Sequence, residues 1–152
     1  MEKYCHLFYY DTQTKETVFV YREKEIGRKK DKPVVFIKCW CLENGSTMEG
    51  RLKSCRHLLK IVQKPPILIS ERQRLVFMTT TSHTTEDCVF IQSRGIQSIK
   101  KTKENATRIV MQDGSAYIIL LDYRIINRQY KRSLQLLEKL KLTEQKFLLF
   151  EI

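Results

Sequence analysis

The sequence predicts a β-rich α+β fold. One domain, residues 1–152, is expected to hold antiparallel strands and hairpins with a short middle helix and a longer C-terminal helix. A length of 152 residues fits one domain and suffices to bury a core. Most of the chain consists of short apolar runs, rich in aromatic and β-branched residues, that turn-forming residues separate. Only two segments repeat apolar residues at helical spacing, which favours an α+β arrangement.

The first third of the chain is predicted to form strands. Tyr4 to Tyr10 and Thr17 to Arg22 are rich in aromatic and β-branched residues, and a polar stretch separates them. The charged stretch Glu23 to Lys32 follows and ends before a proline. Val34 to Leu42 is predicted as a third strand, which the turn Glu43-Asn44-Gly45 closes.

A helix and a hairpin are predicted in the middle of the chain. Apolar residues recur at helical spacing at Leu52, Cys55, Leu58, Leu59 and Val62. The prolines Pro65 and Pro66 require this helix to end before them. Ile67 to Ile69 and Leu75 to Thr79 then read as the strands of a hairpin. Thr80 to Glu86 contains almost no apolar residue, so we expect an exposed loop.

The second half of the chain is predicted to be a series of strands. Their ranges are Cys88 to Ile91, Ile96 to Lys100, Thr107 to Met111 and Tyr117 to Leu121. The sharpest turns between them are Arg94-Gly95 and Asp113-Gly114. An Asp-Gly pair between two apolar runs is a strong hairpin signal.

The final element is predicted to be a helix from about Tyr123 to Leu140. Its apolar stripe consists of Ile126, Tyr130, Leu134, Leu137 and Leu140. Asp122 lies where an N-cap residue would accept a backbone hydrogen bond. The segment Phe147 to Ile152 is apolar and is expected to pack on the core or to add a strand.

The charge of the chain predicts a polyanionic partner. Lys and Arg number 28 against 17 Asp and Glu, which gives a net charge of +11. Such a surplus on a small domain attracts nucleic acid. No apolar run is long enough to span a bilayer, and neither a signal peptide nor a lipidation signal is visible. We therefore expect a cytoplasmic protein without a membrane partner.

The basic residues form three clusters. The first lies within fourteen acid-free residues and comprises Arg51, Lys53, Arg56, Lys60 and Lys64. Two more lie around the strand turns and on one face of the last helix. From these two we predict a DNA-binding face of Arg94, Lys100, Lys101, Lys103, Arg124, Arg128, Lys131 and Arg132. Arginine suits phosphates and narrow minor grooves, and the scarcity of aromatic residues near the clusters argues against a single-strand binder.

Catalytic and metal chemistry find little support in the sequence. Four soft ligands, Cys39, Cys41, Cys55 and His57, could make a zinc site, but their spacing differs from that of the common zinc fingers. The odd number of cysteines, with no secretory signal, indicates reduced thiols that are mostly buried. The Cys–His pairs Cys88 with His83 and Cys55 with His57 lack a local catalytic signature. We therefore predict no enzyme, catalytic residue, cofactor or metal. An RNA- or ribosome-binding protein and a zinc-dependent protein are the alternatives to DNA binding.

Several runs of the chain resemble the competence transcription factor (ComK) family of Gram-positive bacteria. The runs are Gly50-Arg51, Ser54, His57-Leu58-Leu59, Lys64-Pro65-Pro66-Ile67, Phe77 to Ser82, Asp87 to Ile91, Ile96 to Ile99, Gly114 and Tyr123 to Tyr130. The short His-Leu-Leu version of the middle helix is most similar to the staphylococcal members. The first 49 residues match only loosely, and longer members continue past the last helix.

The resemblance implies a DNA-binding activator of DNA-uptake genes. Members of this family bind paired A-tract and T-tract boxes from the minor groove as oligomers, so it implies A/T-rich double-stranded DNA and a homo-oligomer. RNA polymerase is a further candidate partner of an activator. Some members are delivered by an adaptor to a cytosolic protease. A-tracts narrow the minor groove and deepen its negative potential, which fits an arginine-bearing surface.

Overall fold

A computed structural model describes the backbone of residues 2–151 and the side chains of residues 2–142. Nine strands and three α-helices lie within this part of the chain, with three short 3₁₀ turns at Glu2–Tyr4, Arg22–Lys24 and Ser93–Gly95. The strands are β1 (Leu7–Asp11), β2 (Glu16–Val20), β3 (Ile26–Lys29), β4 (Ile67–Ser70), β5 (Leu75–Thr79), β6 (Val89–Gln92), β7 (Ile96–Lys101), β8 (Thr107–Met111) and β9 (Ala116–Ile119). The helices are α1 (Pro33–Glu43), α2 (Met48–Leu59) and α3 (Tyr123–Glu151).

The strands form two antiparallel sheets. The larger sheet has the order β3-β2-β1-β6-β5-β4, and the smaller sheet has the order β7-β8-β9. In the larger sheet, Leu7 of β1 pairs with Val20 on one side and Ile91 on the other. This arrangement of antiparallel strands with a middle and a longer C-terminal helix confirms the predicted α+β fold class.

The central strands of the larger sheet are buried on both faces. Phe8 and Phe19 point toward helices α1 and α2, whereas Leu7 and Val18 point toward the smaller sheet and α3. Because successive residues of a strand face opposite sides, a strand covered on both faces is apolar at every position. This explains why the strand segments of the sequence are continuous apolar runs.

Aromatic rings fill the core beneath the first two helices. The Phe8 ring stacks on Phe90 with centroids 4.7 Å apart and meets Phe77 and Trp40 edge-on at 5.1 and 5.4 Å. Edge-to-face and offset arrangements are the favoured geometries of aromatic pairs. Truncating a ring at such a position costs about 3–5 kcal/mol, so this cluster anchors α1 and α2 on the sheet.

The third predicted strand is wrong, because residues Val34 to Leu42 lie in helix α1. Their β-branched and aromatic residues suggested a strand, but tertiary packing overrides that propensity. Pro33 is at the first helical position, where the missing N–H has no cost. The residues that α1 buries are Pro33, Ile37, Trp40 and Cys41. Their helical spacing marks the face that packs on the sheet, so the domain has three α-helices rather than two.

Apart from strand β3, which the sequence did not predict, the other elements agree with the sequence in type and differ at their limits. The charged stretch Glu23 to Lys32 contains the edge strand β3, whose residues are mostly exposed. Helix α2 ends at Leu59, and the left-handed backbone of Lys60 (φ 55°) leaves Val62 outside it and exposed. The Asp113-Gly114 hairpin is confirmed, with Gly114 at φ +91°. Asp122 also caps α3 as predicted, since its Oδ1 accepts from the Arg124 N–H at 2.8 Å.

Helix α3 is longer than predicted. Its backbone extends from Tyr123 to Glu151, so the Phe147 to Ile152 segment does not add a strand over Phe147–Glu151. The packing of that segment's side chains lies outside the described residues. Leu134 is exposed, while the buried positions are Ile126, Gln129, Ser133 and Leu136. Within the described residues no helix combines the length and apolar character that crossing a membrane requires.

Candidate nucleic-acid interface

The β7–β8 hairpin and the start of α3 bring several predicted cations together. Lys100 pairs directly with Arg108 across the hairpin, and Lys101 pairs with Thr107. Lys101 and Lys103 line the same small hollow as Asp122 and Tyr123. The N-terminus of α3 therefore lies beside the tip of the hairpin, and two separate clusters of the sequence meet there.

The Asp122 carboxylate is held in its charged form at this junction. Its hydrogen bond from the Arg124 N–H lowers its pKa, and the charges of Arg124 and Lys101 act in the same direction. The Arg124 guanidinium lies 3.5 Å from the carboxylate, yet 89% of its side chain is exposed. Asp122 thus positions Arg124 at the helix start without covering it.

Three cations follow one another along the exposed side of α3. Arg124, Arg128 and Lys131 are all exposed, and their spacing of four and three residues places them on one face of a helix. Within the described part of the chain, neither Arg128 nor Lys131 forms an ion pair or a side-chain hydrogen bond. The same holds for Lys100, Lys101, Lys103 and Arg108 of the hairpin.

We call this set of cations the basic face. It comprises Lys100, Lys101, Lys103, Arg108, Arg124, Arg128 and Lys131. Cations without ion-pair partners produce a positive potential that phosphates can relieve. Arg108 belongs to the sequence cluster around the strand turns but is absent from the predicted face; the structure places it directly across from Lys100.

Arg132 is partly buried and uses its guanidinium for contacts within the protein. Its guanidinium donates to the Gln63 carbonyl at 3.0 Å and to Gln129 Oε1 at 3.1 Å. Burial, and then the charge of Arg128, lowers its pKa. The structure therefore places Arg132 beside the basic face, but with its donors used to hold the segment that follows α2.

Arg94 lies apart from the other predicted residues. It precedes β7 and donates to the Gln73 carbonyl at 2.8 Å, whereas the hairpin tip follows the other end of β7. A strand of this length separates Arg94 from Lys101 by roughly 20 Å. The structure thus groups six of the eight predicted residues and leaves Arg94 and Arg132 in other surroundings.

The outer side of the smaller sheet also carries exposed apolar residues. Ile118 pairs with Arg108 across the sheet and is 55% exposed, and Leu120 is 80% exposed. Their neighbours Tyr117 and Ile119 pack inward on the second core cluster. An apolar run such as this one predicts a strand that is buried on both faces. The structure instead leaves one face of it uncovered, which the sequence alone does not show.

The first basic cluster of the sequence lines a separate groove. Arg56 and Lys64 face the segment after β5, which contributes Thr81, Ser82 and His83. We call this feature the Arg56 groove, and its cavity measures about 460 Å³. Two segments that are distant in sequence form it, so spacing alone could not have predicted it.

The four candidate zinc ligands are not brought together. Cys39 and His57 are exposed, while Cys41 and Cys55 are buried in different core clusters. On helix α1, Cys39 and Cys41 diverge, whereas on the predicted strand they would share a face. Among the described residues no group of three or more His, Cys, Asp and Glu side chains could hold a metal ion.

The buried thiols are poor nucleophiles. Burial raises the pKa of Cys41 to about 11 and that of Cys55 to about 12. Burial also raises the pKa of Cys88, whose Sγ lies 3.5 Å from the Thr81 carbonyl. Since the thiolate is the reactive form, these residues act as small hydrophobes in the core. The prediction that most of the five cysteines are buried is confirmed, with Cys39 as the exposed one.

Comparison with known proteins gives two matches. A family profile described as "ComK protein" matches residues 7–145. The competence transcription factor of Bacillus subtilis (strain 168) is 24% identical over 102 residues, which cover 67% of this chain and 53% of the relative. The chain thus spans about half the length of the curated relative it matches. No solved structure matches the chain.

Proposed function

The chain belongs to the ComK protein family, and from this premise we propose that it is a DNA-binding transcriptional activator of competence genes. The match covers most of the chain, from Leu7 in β1 to the middle of α3. The relative from B. subtilis is described as a competence transcription factor. The proposal therefore assigns the chain a binding role rather than an enzymatic one.

The observation that carries the proposal is the basic face. The tip of its hairpin lies beside the start of the helix that carries its other cations, and six of the seven cations have no ion-pair partner in the described part of the chain. A DNA backbone would release condensed counterions on meeting such a surface, which is the main source of affinity for duplexes. Phosphate contacts then set the orientation of the protein on DNA.

We further propose that the protein reads A/T-rich boxes in the minor groove. Ile118 lies exposed on the sheet that carries Arg108, and the exposed Leu120 directly follows the last strand of that sheet. Minor-groove proteins combine cations with apolar side chains that contact base steps. A/T-rich sequence narrows the groove and concentrates negative potential where arginine can enter it. In this account the protein acts in the cytoplasm as a homo-oligomer and forms one DNA-binding domain over residues 1–152.

The proposed function is tested by titrating the purified protein against three duplexes of equal length. One DNA carries A-tract and T-tract boxes on one helical face, one DNA is a scrambled G/C-rich sequence, and the third duplex is RNA. We expect tighter binding to the first, with a preference that persists as salt is raised. Equal binding to all three that disappears with salt would contradict the proposal and would favour a general polyanion binder.

A further inference from the structure

The Arg56 groove lies between two segments that the fold brings together. One is the connection from α2 to β4, and the other is the segment between β5 and β6. Its lining residues are Arg56, Val62, Gln63, Lys64, Pro65, Thr81, Ser82 and His83. Cationic, hydroxyl and imidazole side chains are present and no carboxylate is among them, which is the donor chemistry that a phosphoryl group requires.

The Arg56 side chain is held in place by one hydrogen bond, and two of its guanidinium nitrogens remain available as donors. Its Nε donates to the Val62 carbonyl at 2.9 Å, which fixes the side chain against the segment that follows its own helix. Among the described residues, Nη1 and Nη2 have no hydrogen-bond partner. A guanidinium in this state offers a planar pair of donors to an oxyanion.

The wall that carries Lys64 is rigid. Lys64 adopts a left-handed backbone (φ 51°), a conformation that costs a non-glycine residue free energy and persists only when its surroundings hold it. The buried Gln129 amide donates to the Lys64 carbonyl at 3.1 Å and to the Thr79 carbonyl at 2.8 Å. Arg132 holds the neighbouring Gln63 carbonyl. The Lys64 ammonium itself has no partner in the described residues, so a charge without a counterion sits on a fixed backbone.

The opposite wall is ordered by hydroxyl groups. Ser82 Oγ lies 2.8 Å from Thr84 Oγ1, and Thr85 Oγ1 donates to the Ser82 carbonyl at 2.8 Å. His83 stands on this wall, and burial, followed by the charge of Arg56, lowers its pKa. Of the acids in the same segment, Asp87 accepts from Thr81, and both Asp87 and Glu86 are exposed. A neutral His83 still provides one N–H donor beside two cations.

The groove is linked to the basic face through α3. The helix begins at Tyr123 beside the hairpin tip, and Arg132 reaches the groove wall at Gln63. Nine residues of α-helix span about 13 Å. Along the duplex axis, one DNA strand rises about 3.4 Å per nucleotide, so 13 Å corresponds to about four nucleotides when that axis runs parallel to α3.

We propose that the Arg56 groove is a phosphate-binding site and that the phosphate it takes belongs to the backbone of the bound DNA. Arg56 and Lys64 neutralise the phosphate, and Ser82 and His83 donate hydrogen bonds to it. The site rests on the proposed function and extends it, since it adds a contact about four nucleotides from the hairpin. It also gives a role to the first basic cluster, which lies outside the face predicted from the sequence.

The test compares four full-length proteins: wild type, Arg56→Gln, Lys64→Gln and the control Arg72→Gln. Arg72 is exposed on the β4–β5 turn. The Arg72→Gln substitution therefore removes the same charge without touching the groove. Each protein is titrated with the A/T-box duplex at several salt concentrations, and thermal unfolding checks the fold. We expect each groove variant to bind more weakly and to lower the salt slope by about one, while Arg72→Gln matches wild type.

A second arm distinguishes DNA from free phosphate. The His83 ring signals are followed by NMR in wild type and Arg56→Gln while the duplex or inorganic phosphate is added. Signals that move with the duplex in wild type and stay fixed in Arg56→Gln support the proposal. Signals that move with inorganic phosphate alone, with wild-type duplex affinity in the groove variants, would overturn the DNA assignment and leave a free phosphate compound as the ligand.

The two failures can be told apart. Wild type that binds the duplex, together with groove variants indistinguishable from Arg72→Gln and a silent His83, overturns the groove site and leaves the proposed function intact. Wild type that fails to bind any duplex overturns the proposed function and the DNA assignment of the groove together.

Discussion

Two surfaces of this protein carry cations in different electrostatic states. On the outer strands of the larger sheet and on α1 and α2, cations meet carboxylates: Arg28 contacts Asp11 and Glu16, Lys29 contacts Glu2, Lys38 contacts Glu49, and Arg51 contacts Glu71. We call this set of ion pairs the paired face. On the basic face, among the described residues, only Arg124 forms an ion pair.

The sequence distribution of charge explains this difference. Residues 1–49 contain nine basic residues (Lys and Arg) and eight acidic residues (Asp and Glu). Residues 50–152 contain 19 basic and nine acidic residues. Exposed ion pairs contribute little stability, but they cancel the local potential. A basic surface therefore depends on the absence of neighbouring carboxylates as much as on the number of cations. Substitutions on the two surfaces should differ in their effects on DNA binding.

Charge reversal on the basic face should have the largest effect. The variant Lys100→Glu with Arg108→Glu places two carboxylates opposite each other on the hairpin, so it should repel phosphates and lower duplex affinity by about a hundredfold or more at low salt. Binding is measured by fluorescence anisotropy. The control Lys15→Glu with Lys30→Glu makes the same change in net charge at exposed sites near the paired face. Equal losses in both variants would mean that net charge alone drives binding.

Two adjacent residues, the last of β9 and the one that follows it, should separate an effect on stability from an effect on DNA binding. Ile119 is buried in the second core cluster, and Ile119→Ala should lower the free energy of unfolding by about 2–4 kcal/mol. Leu120→Asn, one position further, should leave unfolding within about 0.5 kcal/mol of wild type and weaken A/T-box binding severalfold. Urea unfolding and the duplex titration report the two quantities. Unchanged binding by Leu120→Asn would remove the apolar residues from the DNA contact.

The buried Gln129 amide should matter for stability more than any ion pair of the paired face. Gln129→Leu leaves the Lys64 and Thr79 carbonyls without their donor, which should cost about 1–3 kcal/mol of unfolding free energy. Arg28→Gln, which breaks exposed ion pairs, should lower the free energy of unfolding by less, because water screens such pairs. Chemical denaturation of both variants compares them, and a larger loss for Arg28→Gln would contradict the comparison.

The smallest effect is a change of stability with pH at Asp113. Its carboxylate accepts from the Glu23 and Ser115 N–H groups, which lowers its pKa to about 2. Because the folded pKa lies below the unfolded one, its contribution is complete above about pH 4 and is lost as the pH falls toward 2. The difference in unfolding free energy between wild type and Asp113→Asn should therefore shrink over that interval. A difference independent of pH would contradict this assignment.

The fold could be predicted where one local signal dominates. The Asp113-Gly114 turn and the Asp122 cap are short-range features with a direct physical cause, and both are present. Helix α1 was missed because β-branched content outweighed a second signal, the helical spacing of Pro33, Ile37 and Trp40. A proline at the start of an apolar run deserves more weight as a helix N-terminus.

The candidate site was predictable only in part, since sequence shows which cations exist and not what they contact. Arg128 and Lys131 could be assigned to one exposed face from helical spacing. The use of Arg132 as a donor to Gln63 depends on a contact across 69 positions of the chain. Arg108 and the Arg56 groove likewise depend on tertiary pairing that no local pattern encodes.

The most direct test of the central claim compares the salt dependence of duplex binding in three proteins. They are wild type, the basic-face variant Arg108→Gln/Arg128→Gln/Lys131→Gln and the paired-face variant Arg28→Gln/Lys29→Gln/Lys38→Gln, which removes the same charge. The account predicts that the basic-face variant loses up to about three units of slope, while the paired-face variant keeps the wild-type slope. Equal slopes for the two variants would contradict the claim that cations without carboxylate partners form the DNA-binding surface.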